Sequence, residues 1–224
     1  MTLGADAANR PPARGLRERK KERTHEAIAN AALELFLERG FDAVTIADVA
    51  QRAEVDVKTI YNYFPSKPDL FYHRLEAFED SLLAAVRDRE PGESVLAALA
   101  RFLLATHARG LLGNEQATAR LRAITEMIVD SPTLLAYEEQ VYARFTAALA
   151  NLLATETRAP PADVEPAVVA HALMGLHRSL VGYVRAGTLG GTPNAALARA
   201  VRTQAKKGIA ALEAGLGDYG VKSA

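Results

Sequence analysis

A chain of 224 residues exceeds one typical domain and falls short of three, and 49% apolar with 24% charged residues match an ordinary soluble globular protein with ample core. Its 27 basic side chains balance 27 acidic ones, and a formal net charge of zero argues against indiscriminate coating of nucleic acid. There is no cysteine, which excludes disulfides, thiol catalysis and Cys-ligated metal centres and fits a cytoplasmic protein.

Residues 1–16, with two prolines, two glycines and no apolar periodicity, predict a disordered basic arm. Residues 10–23 hold Arg10, Arg14, Arg17, Arg19, Lys20, Lys21 and Arg23 against Glu18 and Glu22, a local net charge of +5. Such a stretch is usually a solvated tail, and it can reach phosphates where a DNA-reading module follows. These charges stand where a secretion signal needs its apolar segment, so no export is expected. Residues 17–39 predict the first helix, with Ile28, Ala32, Leu35 and Phe36 as its buried stripe and Gly40 just past its end.

Thr45 with Asp48 three positions on reads as the start of a helix ending near Ala53. Asp56 reads as the N-cap of the next, which runs from Val57 to Tyr63 or Phe64. "PSKPD" breaks the chain. Ser66 with Asp69 restarts it, Pro68 is tolerated in the first turn, and a helix from Lys67 to about Arg89 leads onward. Two short capped helices joined by "AEVD" have the dimensions of a helix-turn-helix, whose second helix enters the DNA major groove. Ile46, Val49, Ala50 and Ala53 face inward from the first, Val55 plugs the turn, and Ile60 and Phe64 face inward from the second. That leaves Val57, Lys58, Thr59, Tyr61, Asn62 and Tyr63 outside: donors, small contacts and amphipathic rings suited to a groove.

Beyond "EPGES", four or five longer helices are predicted over about 93–109, 115–130, 132–156, 163–186 and 193–216, with no repeat period. The fold class is all-α, about nine helices in total. Residues 17–72 are expected to form a three-helix DNA-binding domain and residues 73–224 a larger all-helical body. The greasiest run, "SVLAALARFLLATHARGLL", is broken by Arg101, His107 and Arg109, so no window is expected to reach the roughly 20 apolar residues of a membrane span.

"TIADVAQRAEVDVKTIYNYFPSKPDLF", with the leading "AIANAALELFLERGFDAVT", resembles the TetR family of bacterial transcriptional regulators. The resemblance covers residues 22–72 and rests on the Thr opening the second helix, the "T-I-Y-x-Y-F" of the recognition helix and the "P-S-K" that starts the fourth. It implies that Thr45 holds a phosphate through its hydroxyl and backbone N–H. It further implies that Tyr61 and Tyr63 contact phosphates, that Lys67 clamps the backbone, and that Thr59 touches a phosphate or a base edge. Val57, Lys58 and Asn62 fall at the variable base-reading positions. There a lysine can donate to guanine O6/N7, an asparagine can pair with adenine, and a valine can meet a thymine methyl. One position departs from the family pattern. The turn commonly has Gly after Ala, and here it has Glu54; a non-Gly residue in a left-handed turn costs about 1 kcal/mol.

A helix-turn-helix of this type binds a palindrome as a dimer, with half-sites roughly 34 Å apart or a multiple of it. Two stripes are candidates for the dimer face: Ala172, Gly175, Ser179 and Gly182, and Leu197, Val201, Ala205, Ile209, Leu212 and Leu216. The resemblance implies a four-helix interface from this pair; packing of the same faces within one chain is the alternative. The middle helices would enclose an effector, and His107, Arg122, Met127, Tyr142, Phe145, His171, Met174 and Arg178 are the candidate ligand-binding residues. His171, Met174 and Arg178 form the preferred pocket wall, and His107 with Arg122 would neutralise an acidic ligand.

No metal, cofactor or catalytic signature is present: the five histidines lack ligand spacing, and Glu138–Glu139 reads as a solvated face. The expected function is transcriptional regulation, not catalysis. A homodimer would bind a palindromic operator on double-stranded DNA, repress, and be released by a small, mainly apolar effector, with no membrane partner. The alternatives are a helical DNA-binding protein that recruits a protein partner without an effector, and a helical enzyme with a vestigial head.

Overall fold

The computed structural model describes residues 15–111 and 115–222. Among them are nine α-helices and no strand: α1 (Leu16–Arg39), α2 (Ile46–Arg52), α3 (Val57–Tyr63), α4 (Lys67–Arg87), α5 (Val95–Gly110), α6 (Glu115–Asp130), α7 (Pro132–Thr157), α8 (Glu165–Leu189) and α9 (Asn194–Leu216). The fold is all-α, as its periodicity predicts. Two compact units divide the chain between Phe71 and Tyr72, inside α4. Of the arm predicted over residues 1–16, residues 1–14 lie outside the described residues, while Gly15 and Leu16 already open α1.

In the first unit the α1 stripe is buried as predicted, and Phe36 meets Phe41 and Phe71 at 5.1 and 6.1 Å between ring centroids. Gly40 ends α1 at φ +82°, its N–H bonded to Phe36 O at 2.9 Å. α2 opens on a full capping box: Asp48 N–H donates to the Thr45 hydroxyl at 3.1 Å, and Thr45 N–H donates to Asp48 Oδ2 at 2.7 Å. It closes on a Schellman turn, with Val55 N–H on Ala50 O at 3.0 Å and Glu54 N–H on Gln51 O at 3.3 Å.

The left-handed residue of that turn is Glu54, at φ +53°. Its strain, about 1 kcal/mol, is carried because the turn satisfies two carbonyls and delivers Val55 to the interior. Glu54→Gly is therefore expected to stabilise the chain by about 1 kcal/mol, raising the thermal midpoint by roughly 2–4 °C. An unchanged or lower midpoint in a melting experiment would count against the strain. α3 differs from its prediction at the start. Asp56 stands at the N-cap, but its side chain makes no cap hydrogen bond; its carbonyl alone accepts, from Thr59 and Ile60. Asp56 is exposed, so water serves the first N–H groups and the carboxylate gains little by turning in.

In the second unit, Leu82, Val86, Leu99, Leu103, Phe145, Leu149 and Leu153 share one core, each worth about 1.5–3 kcal/mol when fully buried. α7 packs on α8, α5 on α9, and α8 on α9. The α9 stripe offered for dimerisation packs within the chain over its first half and only partly over its second. Leu197, Val201 and Ala205 are buried, and Ile209, Leu212 and Leu216 pack against the main core. The α8 stripe behaves differently: Gly175, Ser179 and Gly182 face outward, and a Cβ at either glycine would meet open space.

α8 also runs to Leu189 instead of ending near 186. Gly187 stays helical because α9 packs onto it: a Cβ there would lie 2.5 Å from Leu197 Cδ1. By length and composition α8 is long and apolar enough to cross a membrane, which the broken runs elsewhere did not suggest. Its Leu173, Leu176 and Leu180 are buried, and it carries two ion pairs to α7.

α4 stops at Arg87, short of the predicted Arg89, and Arg89 turns inward. Its side chain is 2% exposed and donates to Val86 O, Gly220 O and Glu156 Oε2, each at 2.6 Å, and to Glu93 O at 3.2 Å. One guanidinium thereby ties the end of α4, the turn before α5, the end of α7 and the C-terminal tail. Lys222 reinforces the tie, its ammonium donating to Arg89 O at 2.8 Å and Arg87 O at 3.1 Å.

Candidate nucleic-acid interface

α3 has seven residues, too few to be stable alone, so tertiary contacts hold it. Ile60 at 0% and Phe64 at 2% exposure anchor it, which turns the opposite face to solvent. On that face Val57 is 41% and Tyr61 52% exposed, Lys58 and Asn62 are exposed, and Thr59 and Tyr63 are half-buried. This face therefore presents a phenol, an amine, an amide and a small apolar side chain together.

Thr45 and Lys67 share one neighbourhood. Both donors of Thr45 are engaged by Asp48 Oδ2, the hydroxyl at 2.6 Å and the N–H at 2.7 Å. Those hydrogen bonds, the hydroxyl's first, hold the Asp48 carboxyl below its ordinary range, with the charges of Arg39 and Lys67 adding to the effect. A phosphate at Thr45 therefore competes with a carboxylate already in place. Lys67 lies over the Phe41 ring at 4.4 Å, with its ammonium 3.4 Å from Asp42 O. Burial lowers its pKa, and the charges of Asp42 and Asp48 oppose that shift. Behind α3, His25 of α1 stacks on Phe64 with centroids 4.4 Å apart, and burial lowers its pKa too.

The ligand-binding candidates of the second unit separate. His171, Arg178 and Tyr142 line one groove of about 480 Å³ between α7 and α8, floored by Ala143, Ala147 and Ala150. Arg178 lies over the Tyr142 ring at 4.9 Å and pairs with Glu139. Burial pushes the Tyr142 phenol up to about 12. Met174 and Phe145, each 1% exposed, are core, so Met174 does not stand between His171 and Arg178 as a shared wall. A three-residue step turns a helix by 300°, and those 60° carry Met174 to the buried side. Met127 is half-buried on α6. Arg122 is spent on Glu126 at 2.8 Å along its own helix, and the His107 side chain lies outside the described residues.

Glu138 is not on a solvated face. It is 5% exposed and holds Arg185 of α8 through both carboxylate oxygens. His177, 3% exposed, stacks on Phe78 at 4.8 Å and meets Tyr142 edge-on at 5.8 Å. The steps Leu173, His177, Leu180 would have placed it on the buried face. Tyr72 stacks on Tyr137 at 5.6 Å and donates to Leu134 O at 3.2 Å. Among the described residues no group of His, Asp or Glu is arranged to hold a metal.

Residues 28–73 match the family model described as bacterial regulatory proteins, tetR family, and residues 92–208 match that of the MftR C-terminal domain. TcmR of Streptomyces glaucescens, an HTH-type transcriptional regulator, is 32% identical over 56% of this chain and 57% of its own length, so the chain spans little more than half of that relative. MftR of Mycobacterium tuberculosis, a proposed mycofactocin biosynthesis transcriptional regulator, is 26% identical over 70% of this chain and 78% of its own. Among solved structures, SmeT in complex with triclosan superposes with a TM-score of 0.55 at 18% identity, over 84% of this chain and 91% of that one, a likeness of fold.

Proposed function

This chain belongs to the TetR family of bacterial regulatory proteins and is a DNA-binding transcriptional regulator, not an enzyme, and from that premise we propose that it is a ligand-responsive repressor acting as a homodimer on a palindromic operator in the cytoplasm. The outward face of α3 carries the reading: Val57 and Tyr61 exposed beside Lys58 and Asn62, over an Ile60 that is wholly buried. Thr45, Thr59, Tyr61, Tyr63 and Lys67 are the proposed phosphate contacts, and Val57, Lys58 and Asn62 the base readers. The domain limits 17–72 and 73–224 go with that division of labour.

Dimerisation is assigned to the outward face of α8, where Gly175, Ser179 and Gly182 permit close helix approach beside a groove lined by Ala172, Tyr183, Lys207 and Gly208. Effector binding is assigned to the second unit, near Tyr142, His171 and Arg178 of the α7–α8 groove. The triclosan complex of SmeT supports an effector of small, mainly apolar kind. By linkage, the effector releases DNA only if it binds the DNA-free conformer more tightly.

Selection of bound fragments from a random DNA pool tests the proposal. Enrichment of a palindrome is the expected result, and no enrichment overturns it. If a palindrome emerges but no compound in a broad metabolite library shifts the melting temperature or releases DNA, the partner-recruiting alternative stands in place of ligand-responsive repression.

A further inference from the structure

Tyr63 is the last residue of α3, and Phe64 after it is already extended at φ −133° and ψ 104°. The last turn of a seven-residue helix frays easily, yet a phosphate contact needs its phenol in one place. At this end Phe64 N–H holds Ile60 O at 2.8 Å and the Phe64 ring is buried. The brace on that ring comes from another helix. The His25 imidazole of α1 lies on the Phe64 face at 4.4 Å with planes 26° apart, and meets the Tyr63 ring edge-on at 6.2 Å and 61°. Stacked and edge-to-face contacts at these separations are attractive and directional. The imidazole is half-buried, which lowers its pKa against the opposing charges of Glu26 and Glu22, and it gives its face to Phe64 and a tilted edge contact to Tyr63.

We propose that His25 is a positioning residue for DNA binding: by bracing Phe64 and the edge of Tyr63, it fixes where the Tyr63 phenol meets the DNA backbone. This rests on the reading of Tyr63 as a phosphate contact. His25 itself touches no DNA in this account; it acts through its neighbour.

A double-mutant cycle on the full chain tests it, with affinity for the selected operator read by fluorescence anisotropy and folding read by thermal midpoint. Tyr63→Phe should weaken binding about tenfold. His25→Ala should weaken it roughly fivefold to tenfold when Tyr63 is present and less than twofold beside Tyr63→Phe, as expected for residues in contact. His25→Phe, which keeps a flat ring, should restore affinity to within about twofold of the wild type. Equal loss in both backgrounds, or no rescue by His25→Phe, overturns the proposal. Should His25→Ala fail to fold, His25→Leu takes its place in the cycle with the same outcomes, since it fills the volume without a flat face. If Tyr63→Phe has no effect, the phosphate reading of Tyr63 falls and the proposal with it, while Lys67→Ala in the same assay shows whether the remaining interface stands.

Discussion

Arg89→Ala should destabilise the second unit by about 3–5 kcal/mol, the range for breaking a buried ion pair by removing one partner. The guanidinium is 2% exposed and its carboxylate partner Glu156 24%. Truncation therefore leaves the partly exposed Glu156 unpaired and takes the guanidinium donors from the carbonyls of Val86 and Gly220, while Glu93 O keeps the Lys222 N–H at 3.2 Å. At roughly 2–4 °C per kcal/mol for a chain of this size, the thermal midpoint should fall by roughly 6–20 °C. Glu156→Gln keeps an acceptor but leaves the buried guanidinium without its counter-charge, so it too should cost up to about 3–5 kcal/mol. The contrast is Arg122→Ala: its pair with Glu126 is 50% and 45% exposed, and its loss should stay within about 0.5 kcal/mol. A midpoint lowered by less than about 2 °C in Arg89→Ala would show that the four elements hold together without this side chain.

Arg89 also marks what a one-dimensional reading leaves out. Its partners are 67 and 131 residues away, at Glu156 and Gly220, and no local pattern announces them. Where the cause was local, the sequence was legible. Thr45 and Asp48 name a capping box because the two bonds lie within four residues, and the α1 stripe names a core face because 3.6-residue periodicity is a property of one helix. Periodicity tells which face is buried and not what buries it. The α9 stripe was read correctly as apolar and covered, but α5 and α8 of the same chain do the covering, and only in part over its second half.

Polar residues gave the larger surprises, since their state depends on partners. Glu138 and Glu139 are adjacent and alike in sequence, yet one is buried on Arg185 and the other exposed on Arg178. Gly187 looks like a loop residue until Leu197 is seen to need its missing Cβ. Glu54 is the converse case: the residue type argues against a left-handed turn, and the turn forms regardless because its hydrogen bonds and Val55 outweigh the strain.

On the dimeric reading proposed above, Lys67→Ala should weaken operator binding by about 100-fold, because each of two half-sites loses one charge-assisted contact worth about 1.5 kcal/mol. Its free-state position sets the terms. The ammonium rests on the Phe41 ring and Asp42 O at 3.4 Å, a long bond that a phosphate oxygen can replace with a short one. Swinging toward DNA also frees it from the partial burial that lowers its pKa, so the protonated form gains. Two cations removed per dimer should lower the slope of log affinity against log salt by about 1.8, from about 0.9 per phosphate neutralised. Lys67→Arg should keep most of the slope. Lys58→Ala should act differently, costing about 1–3 kcal/mol at one base position and relaxing sequence preference there, whereas Lys67→Ala weakens all sequences alike. Titrations of the selected operator and a scrambled duplex across a salt series separate these outcomes. If Lys67→Ala lowers the melting temperature but leaves affinity and slope untouched, the lysine belongs to Phe41 and the phosphate contact must be sought among the exposed Arg19, Lys20, Lys21 and Arg23 of α1.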